Sequence, residues 1–469
     1  MTDPQEGSKP AQQQGGNKNK RKNKRRTAPP SGKNSKKPHN MHTWQSNSKT
    51  ERHLGSYATP EQQERFSLTV PTFTEDDQES EKRQKRKVAL LLGYLGTGYS
   101  GFQINAEQRT LQAELELALY KGRFITPDNF GFPNKISWST SGRTDKGVHA
   151  ASQVISAKIE ILPSQTMDDV RQVINEHLPP SFRVLDVVRT TRSFCAKTQR
   201  DQVRYQYLIP SFCLAENMHE ILVHAGVTGR QDRDPRHPLT PEEMASLQST
   251  LLSYRVTEAQ KQLLKDSLQS YVGTHSFHNY SKGVKPSEGR AARYILSFDV
   301  EEPVVVDGQE WIPTQVLGQS FLLHQIRKMI CMAIEVTRGV VSLDILRLAL
   351  EKDAAIGVSL APAQGLYMEM SYYNGYNNRK PSDLTDVPDI SWHVEGTEVN
   401  ERWKEFRNGT IMPHIVSEEK KEGNFIKFLV LQEYFFDRDS YDPEKPRFNI
   451  QNSNRPGQDD DEDEEDDDE

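Results

Sequence analysis

The sequence predicts an α+β fold flanked by unfolded tails, and three observations predict it. Short apolar runs that end in glycine alternate with helical segments, and their joins are hairpin-like instead of long helical crossovers. The residues A, V, I, L, M, F, W, Y and C make up 34% and glycine adds 28 residues, less than the ~45–50% apolar share of a fully folded globular chain. Charge also collects at the two ends. Twelve Lys/Arg face two Asp/Glu in residues 1–50, residues 459–469 are eleven consecutive carboxylates, and the net charge of -6 conceals both. A length of 469 residues is enough for two or three domains.

Residues 1–84 are rich in Gln, Asn, Lys, Ser and Pro and lack apolar periodicity, so ordering them would cost backbone entropy with little burial in return. They are expected to be a disordered basic tail. Its block Lys18, Lys20, Arg21, Lys22, Lys24, Arg25, Arg26 suits a nuclear localisation signal, a nucleic-acid-binding arm or a merely solubilising segment. From Val88 a buried strand is predicted, followed by a loop at Thr97–Gly101. A helix follows behind a Thr110 cap, with Leu111, Leu115 and Ala118 on one face and Glu114 near the capping-box position. Lys135–Trp138 is expected to be extended, and Gln153–Glu160 alternates with a period of two. The segment Ser141–Gly147 between them is an inter-strand loop. Asp169–His177 suits a helix stopped by Pro179 and Pro180, and Gln202–Ile209 a strand with Val203, Tyr205, Tyr207 and Ile209 on one face.

These elements form a first half over 85–215. Residues 216–256 are polar and weakly patterned and are expected to be an insertion. A second half over 257–375 has the same elements in loosely similar order: a helix over 257–271, strands over 292–300 and 311–317, and helices over 320–338 and 342–351. Residues 376–450 are expected as a C-terminal helical extension, and 451–469 as a disordered acidic tail.

Several function classes are excluded at this stage. Cys195, Cys213 and Cys331 are odd in number, far apart and without a C-x-x-C pair, so a reducing compartment fits best. No apolar run approaches the ~18 residues of a membrane span, and the lysine-dominated N-terminus lacks the character of an organelle presequence. A soluble nuclear or cytosolic protein is expected. Gly96, Gly98 and Gly101 mimic a dinucleotide fingerprint, yet no helix opens there and no acidic residue follows at the required distance.

Three features carry chemistry. The loop Gly142-Arg143-Thr144-Asp145-Lys146-Gly147 packs two cations and one carboxylate between glycines that let backbone approach a bulky ligand; a solvated turn is the bland alternative. In the apolar helix expected over 320–338, Arg327 has Leu323, Ile330 and Cys331 among its i±3 and i±4 neighbours and Ile334 two turns on. A guanidinium there either snorkels to the surface or needs an anionic partner, and a bidentate pair with Asp145 would serve. Tyr205 and Tyr207 share a strand face and could stack on a base or be core residues with a wet hydroxyl. His149, His275, His278 and His324 reproduce no metal-ligand spacing and read as structural histidines.

Ser141-Gly-Arg-Thr-Asp-Lys-Gly-Val-His-Ala150, preceded by Gly96-Thr-Gly-Tyr-Ser-Gly-Phe-Gln103, resembles the catalytic-loop signature of the TruA-type tRNA pseudouridine synthases. The resemblance continues in order through Arg204–Tyr207, Gly273–Phe277, Gly318–Met329 and Ala361–Tyr367. Lys146, the phrase His324-Gln-Ile-Arg-Lys and the basic tail are similar to the eukaryotic nuclear branch. Residues 216–255 and those beyond 376 depart most from the pattern.

The resemblance implies two pseudo-repeated halves sharing a mixed, mostly antiparallel sheet with a central catalytic cleft. It implies a base-flipping isomerase that needs no cofactor and no metal. Asp145 would be the catalytic carboxylate, as nucleophile at the sugar or base at C2′, and Arg327 would pair with it. Tyr205 would stack on the extruded uracil, with Tyr207 as a lesser candidate. Arg143 would fill the space the flipped nucleotide leaves, and Phe321 and Leu366 would wall the pocket. Because the middle of the chain is not basic in sum, RNA affinity is expected from local Lys/Arg patches, with Lys146, Arg204 and Arg293 as contacts and Arg200, Lys282, Lys285 and Arg290 as further candidates. The implied partner is tRNA, with small nuclear or messenger RNA as further candidates, for a monomer in the nucleus. The rival of another class is a non-catalytic nuclear RNA-binding or RNA-chaperone protein, which should have lost Asp145, Arg327 or Tyr205.

Overall fold

The computed structural model describes residues 81–105, 108–227, 234–236, 238–381 and 383–442. Nearly all of the basic tail, the acidic tail and the end of the expected C-terminal extension lie outside the described residues. The strands are β1 (Gln84–Tyr94), β2 (Ser139–Thr140), β3 (His149–Ile161), β4 (Phe182–Arg189), β5 (Gln202–Pro210), β6 (Gly273–Ser276), β7 (Ala292–Val300), β8 (Val304–Val306), β9 (Gln309–Gly318) and β10 (Leu366–Tyr372). The helices are α1 (Leu111–Lys121), α2 (Met167–Glu176), α3 (Met218–His224), α4 (Pro241–Leu251), α5 (Glu258–Gln269), α6 (Gln325–Thr337), α7 (Leu343–Leu348), α8 (Asn374–Arg379), α9 (Glu398–Phe406), α10 (Met412–Glu422) and α11 (Asn424–Tyr434).

Among the described residues all ten strands belong to one sheet, ordered β4-β1-β3-β10-β5-β9-β7-β6, with β2 beside β3 and β8 beside β9. Every described pairing is antiparallel except β3 with β10, the junction between the halves. The mixed, mostly antiparallel α+β architecture is therefore as the sequence predicts, with one exchange: β5 of the first half lies between β10 and β9 of the second. The apolar run Val88–Leu92 is fully buried because β1 is flanked by β3 and β4 and covered on both faces.

Local chemistry explains where element boundaries differ from expectation. Lys135–Trp138 is not extended. Pro133 takes the first position of a 3-10 turn, Pro133–Ile136, where its missing N–H costs nothing, and the strand opens only at Ser139. Thr110 precedes α1 but makes no side-chain cap, and Glu114 instead binds Arg109 at 2.9 Å. The helix expected from residue 320 begins at Gln325, because the Gln325 side chain accepts from the Leu322 N–H at 2.8 Å and closes a turn in front of it. The 257–271 helix is trimmed by a capping box at Thr257 and Gln260, and the 342–351 helix starts behind a Ser342 cap. Residues 216–256 hold α3 and α4, the latter opened by Thr240, Pro241 and Glu243 in a second capping box.

The C-terminal helices pack directly on the sheet. Phe406 lies over Gly93, where a Cβ would come within 2.5 Å of its ring, so β1 needs glycine at that point. The Trp392 indole donates to Asp186 at 2.7 Å, and Arg402 donates to the Leu185 carbonyl at 2.9 Å, which covers the β4 edge. Arg338, at the end of α6, bridges Glu335 at 2.7 Å and Glu433 of α11 at 2.9 Å.

Leu91 is fully buried in β1. Leu91→Ala is expected to cost about 2–5 kcal/mol through lost transfer energy and the cavity left behind, as a lowered denaturant midpoint with unchanged slope will test.

Candidate active site

The segment Ser141–Val148 leaves β2 and returns into β3, and neighbouring backbone fixes its shape. The Ser141 N–H donates to Val154 O at 2.8 Å, Gln153 Nε2 donates to Gly142 O at 2.7 Å, and the Val148 N–H donates to Asp145 O at 3.1 Å. Thr144 is buried, and its hydroxyl meets the Tyr94 phenol at 2.8 Å. The Gly96–Phe102 loop lies on top: Phe102 donates to Thr144 O at 3.2 Å, and a Cβ at Gly96 would sit 2.2 Å from Val148 O. Such close backbone approach accounts for the glycines of both loops. Held between them, Asp145 keeps one fifth of its side chain exposed, and Arg143 and Lys146 point outward.

The second half supplies the facing side. His324, in the left-handed region at φ 64°, turns the chain into α6, and its Nε2 lies 3.9 Å from the Asp145 carboxylate. Arg327 follows on the first turn of α6. It is buried, and its Nε donates to Ala361 O at 2.7 Å. Asp145 is thus carried to the start of the Arg327 helix through His324, a contact the sequence reading, which took this histidine as structural, did not anticipate. A left-handed residue other than glycine leaves no compositional trace, so nothing in the sequence marks the turn.

Tyr205 of β5 is nearly buried and meets Phe321 edge to face, with ring centroids 5.4 Å apart. Burial pushes its phenol up to about 12; the Arg200 cation opposes that rise and the Asp145 carboxylate adds to it. Tyr205 therefore holds its proton at neutral pH and lies within the field of Asp145. Phe321 can fold back over β9 because Gly318 beneath it has no side chain; a Cβ there would come within 2.9 Å of the ring. Tyr207 is committed elsewhere, its hydroxyl donating to Pro362 O at 2.7 Å and its ring packed against Gly365. Leu366 is buried opposite Tyr207 at the start of β10.

The structure thus brings Asp145, Tyr205, Phe321 and the start of the Arg327 helix together, with Leu366 on the neighbouring strand. Arg204 is placed differently. Adjacent to Tyr205 on a strand, it points to the opposite face, where its Nε donates to Glu369 at 2.7 Å. Arg293 lies on β7 and donates to the Ala292 carbonyl at 2.9 Å and to that of Arg290. Arg200 lies beside the Asp145 loop, where a Cβ at Gly142 would be 2.9 Å from its Nη1. Among the described residues no cluster of three or more His, Cys, Asp or Glu could hold a metal ion. A cavity of about 310 Å³ between β4 and residues 386–399 contains none of these groups.

The Ala361–Gly365 loop is secured from the C-terminal helices. Gln364 Nε2 donates to Glu419 of α10 at 2.8 Å, and the Phe425 N–H donates to the same oxygen at 2.9 Å.

Comparison with known proteins identifies the family. A family model described as tRNA pseudouridine synthase matches residues 268–374. The chain is 34% identical to the Pseudouridylate synthase 1 homolog of Mus musculus over 359 residues, 76% of this chain and 75% of that protein. It is 26% identical to tRNA pseudouridine synthase 1 of Schizosaccharomyces pombe, covering 74% of this chain and 83% of that one. It is 29% identical to the tRNA pseudouridine(27/28) synthase of Saccharomyces cerevisiae, covering 72% and 97%. These relatives are RNA-modifying isomerases, and the chain is of that class. The chain belongs to the TruA-type tRNA pseudouridine synthase family.

Burial raises the Glu419 carboxyl from its ordinary 4.5 to about 8 against the hydrogen bonds it accepts. A folded-state value above the unfolded one favours folding below pH 4.5 and loses that advantage as pH rises through about 8. Glu419→Gln, which cannot ionise, is therefore expected to gain stability relative to the parent across that window. Thermal midpoints of both proteins against pH will test it; a constant difference contradicts it.

Proposed function

We propose that the protein is a tRNA pseudouridine synthase whose reacting carboxylate is Asp145. The reaction breaks the uridine N1–C1′ bond, turns the base and joins C5 to C1′; C5 loses a proton and N1 gains one, so nothing is consumed. Attack at C1′ and proton removal at C2′ both require an ionised carboxylate at the sugar. Arg327, one turn from the histidine that Asp145 reaches, supplies the positive charge that keeps the carboxylate ionised, and its burial strengthens that attraction. Tyr205, protonated and braced by Phe321, stacks on the extruded uracil, and Leu366 closes the wall. Arg143, exposed on the same loop as Asp145, occupies the gap in the RNA stack and offsets part of the unstacking cost.

The observation that carries this reading is convergence. A carboxylate from an early hairpin lies 3.9 Å from a residue contributed nearly two hundred positions later, beside a tyrosine that feels its charge. Uridines at the positions named for the Saccharomyces cerevisiae relative are the first candidate targets. The protein acts as a monomer in the nucleus, a reading supported by the basic block at Lys18–Arg26, and small nuclear and messenger RNAs are further substrates. Exposed Lys146, Lys282 and Lys285 contribute phosphate contacts, with half-buried Arg293 of β7 as a further one.

Asp145→Asn keeps the shape and removes the charge. Pseudouridine formation is expected to fall by about three orders of magnitude or more, while tRNA affinity stays within about threefold, under 1 kcal/mol. Substantial residual product would refute the assignment, and loss of binding would point to a structural role.

RNA binding is expected to weaken steeply with salt. About six phosphate contacts would lower affinity by about a thousandfold between 50 and 200 mM. A flat response in a filter-binding titration would contradict the electrostatic footprint.

A further inference from the structure

Behind Tyr205 the sheet contains an irregularity that the reaction chemistry does not use. Along β10, Met368 pairs with Tyr205 and Met370 with Arg204, so Glu369 is an extra residue in a β-bulge. Its side chain is 2% exposed and faces away from Tyr205. The carboxylate accepts from Arg204 Nε at 2.7 Å and Gln315 Nε2 at 3.0 Å, and it pairs with Arg407 at 3.4 Å. The Glu369 carbonyl accepts from the Trp403 indole at 2.9 Å. Side chain and backbone of one bulge residue are therefore both held by the C-terminal helices.

Arg407 does more than neutralise a charge. It also donates to the Tyr367 hydroxyl at 2.9 Å and to Gln206 Oε1 at 3.0 Å, which ties it to the residues flanking Tyr205 and Met368 on both strands. It opens a π-helical turn, Arg407–Ile411, between α9 and α10. Such turns are rare and collect at functional sites, because the helix accepts a poorer hydrogen-bond pattern to aim one side chain. Bulges likewise re-aim neighbouring residues next to active sites. Here two irregularities, one in a strand and one in a helix, face each other through a single ion pair.

We infer that Glu369 and Arg407 are positioning residues through which the C-terminal helical extension sets the placement of Tyr205 and Leu366 at the reacting uridine. The inference rests on the proposed function. The bulge lies one residue from Met368, the cross-strand neighbour of Tyr205, and three from Leu366. Releasing Glu369 lets β10 relax its register offset, which shifts the tyrosine and the pocket wall together. RNA bound by surface lysines does not sense that shift, but the flipped base does.

The test compares Glu369→Gln, Arg407→Gln and Arg407→Lys with the parent chain in kcat, KM, tRNA affinity and thermal midpoint, with Asp145→Asn alongside. Both Gln variants are expected to lose at least about tenfold in kcat while KM and tRNA affinity stay within about twofold, and Arg407→Lys is expected to recover part of the loss. Should Glu369→Gln fail to fold, Arg407→Gln decides, because its side chain is one fifth exposed and its loss leaves Arg204 on Glu369. A kcat within about twofold of the parent, whatever the fall in thermal midpoint, overturns the inference and leaves the network merely structural. A parent chain that forms no pseudouridine overturns the functional reading with it; an active parent with unimpaired variants overturns this inference alone.

Discussion

Two residue pairs in parallel register, Tyr367 with His149 and Met368 with Ala150, join the halves of the sheet. Parallel strands start at the same end, so the loops that lead into them must meet there. The loop leading into β3 carries Asp145, and the loop leading into β10 carries Ala361, the carbonyl that holds Arg327. Gly147 of the first loop lies 3.6 Å, measured from its would-be Cβ, from the side chain of Ala363 in the second. An antiparallel junction would have placed these loops at opposite ends of the sheet. The meeting of carboxylate and guanidinium-bearing helix follows from strand direction before any side chain is considered.

Electrostatics then acts on that placement. A guanidinium buried to the extent of Arg327 costs several kcal/mol unless charge and hydrogen bonds compensate it, and one of its N–H groups is already fixed by Ala361. The same poorly solvated surroundings hold the Tyr205 phenol protonated and give the Asp145 charge a long reach. Burial and the Asp145 carboxylate together hold the Tyr205 phenol in its neutral form, with the Arg200 cation opposing them. A neutral phenol beside a carboxylate suits the proposed roles, in which Asp145 acts on the sugar and Tyr205 stacks on the base.

The sequence made much of this legible because backbone constraints leave strong traces. The glycine-ended run at Val88, the glycine-framed loop at Asp145 and the misplaced cation at Arg327 all record close packing or burial. The period of two that sets Tyr205 and Tyr207 on one face also sets Arg204 on the other, away from the pocket, although its partner Glu369 is not marked in the pattern. What stayed hidden has no compositional signature. Phe182–Arg189 and Leu366–Tyr372 are short strands whose identity depends on partners far away in the chain. Residues 320–324 continue the helical apolar spacing, yet two hydrogen bonds between Leu322 and Gln325 and a left-handed His324 end it. A bulge at Glu369 exists only as a relation between two strands.

The C-terminal helices are part of the body that carries the sheet. A sheet that presents its pocket on one face needs the other face covered, and apolar packing such as Phe406 on Gly93 would suffice for stability. Buried ion pairs add little to that, because desolvation offsets most of their attraction. Their advantage is directional. Arg204, Gln315 and Arg407 can satisfy one carboxylate together in only a narrow range of strand positions. A greasy contact tolerates sliding, whereas this one does not, and it lies behind the strand pair whose register places Tyr205 against Met368.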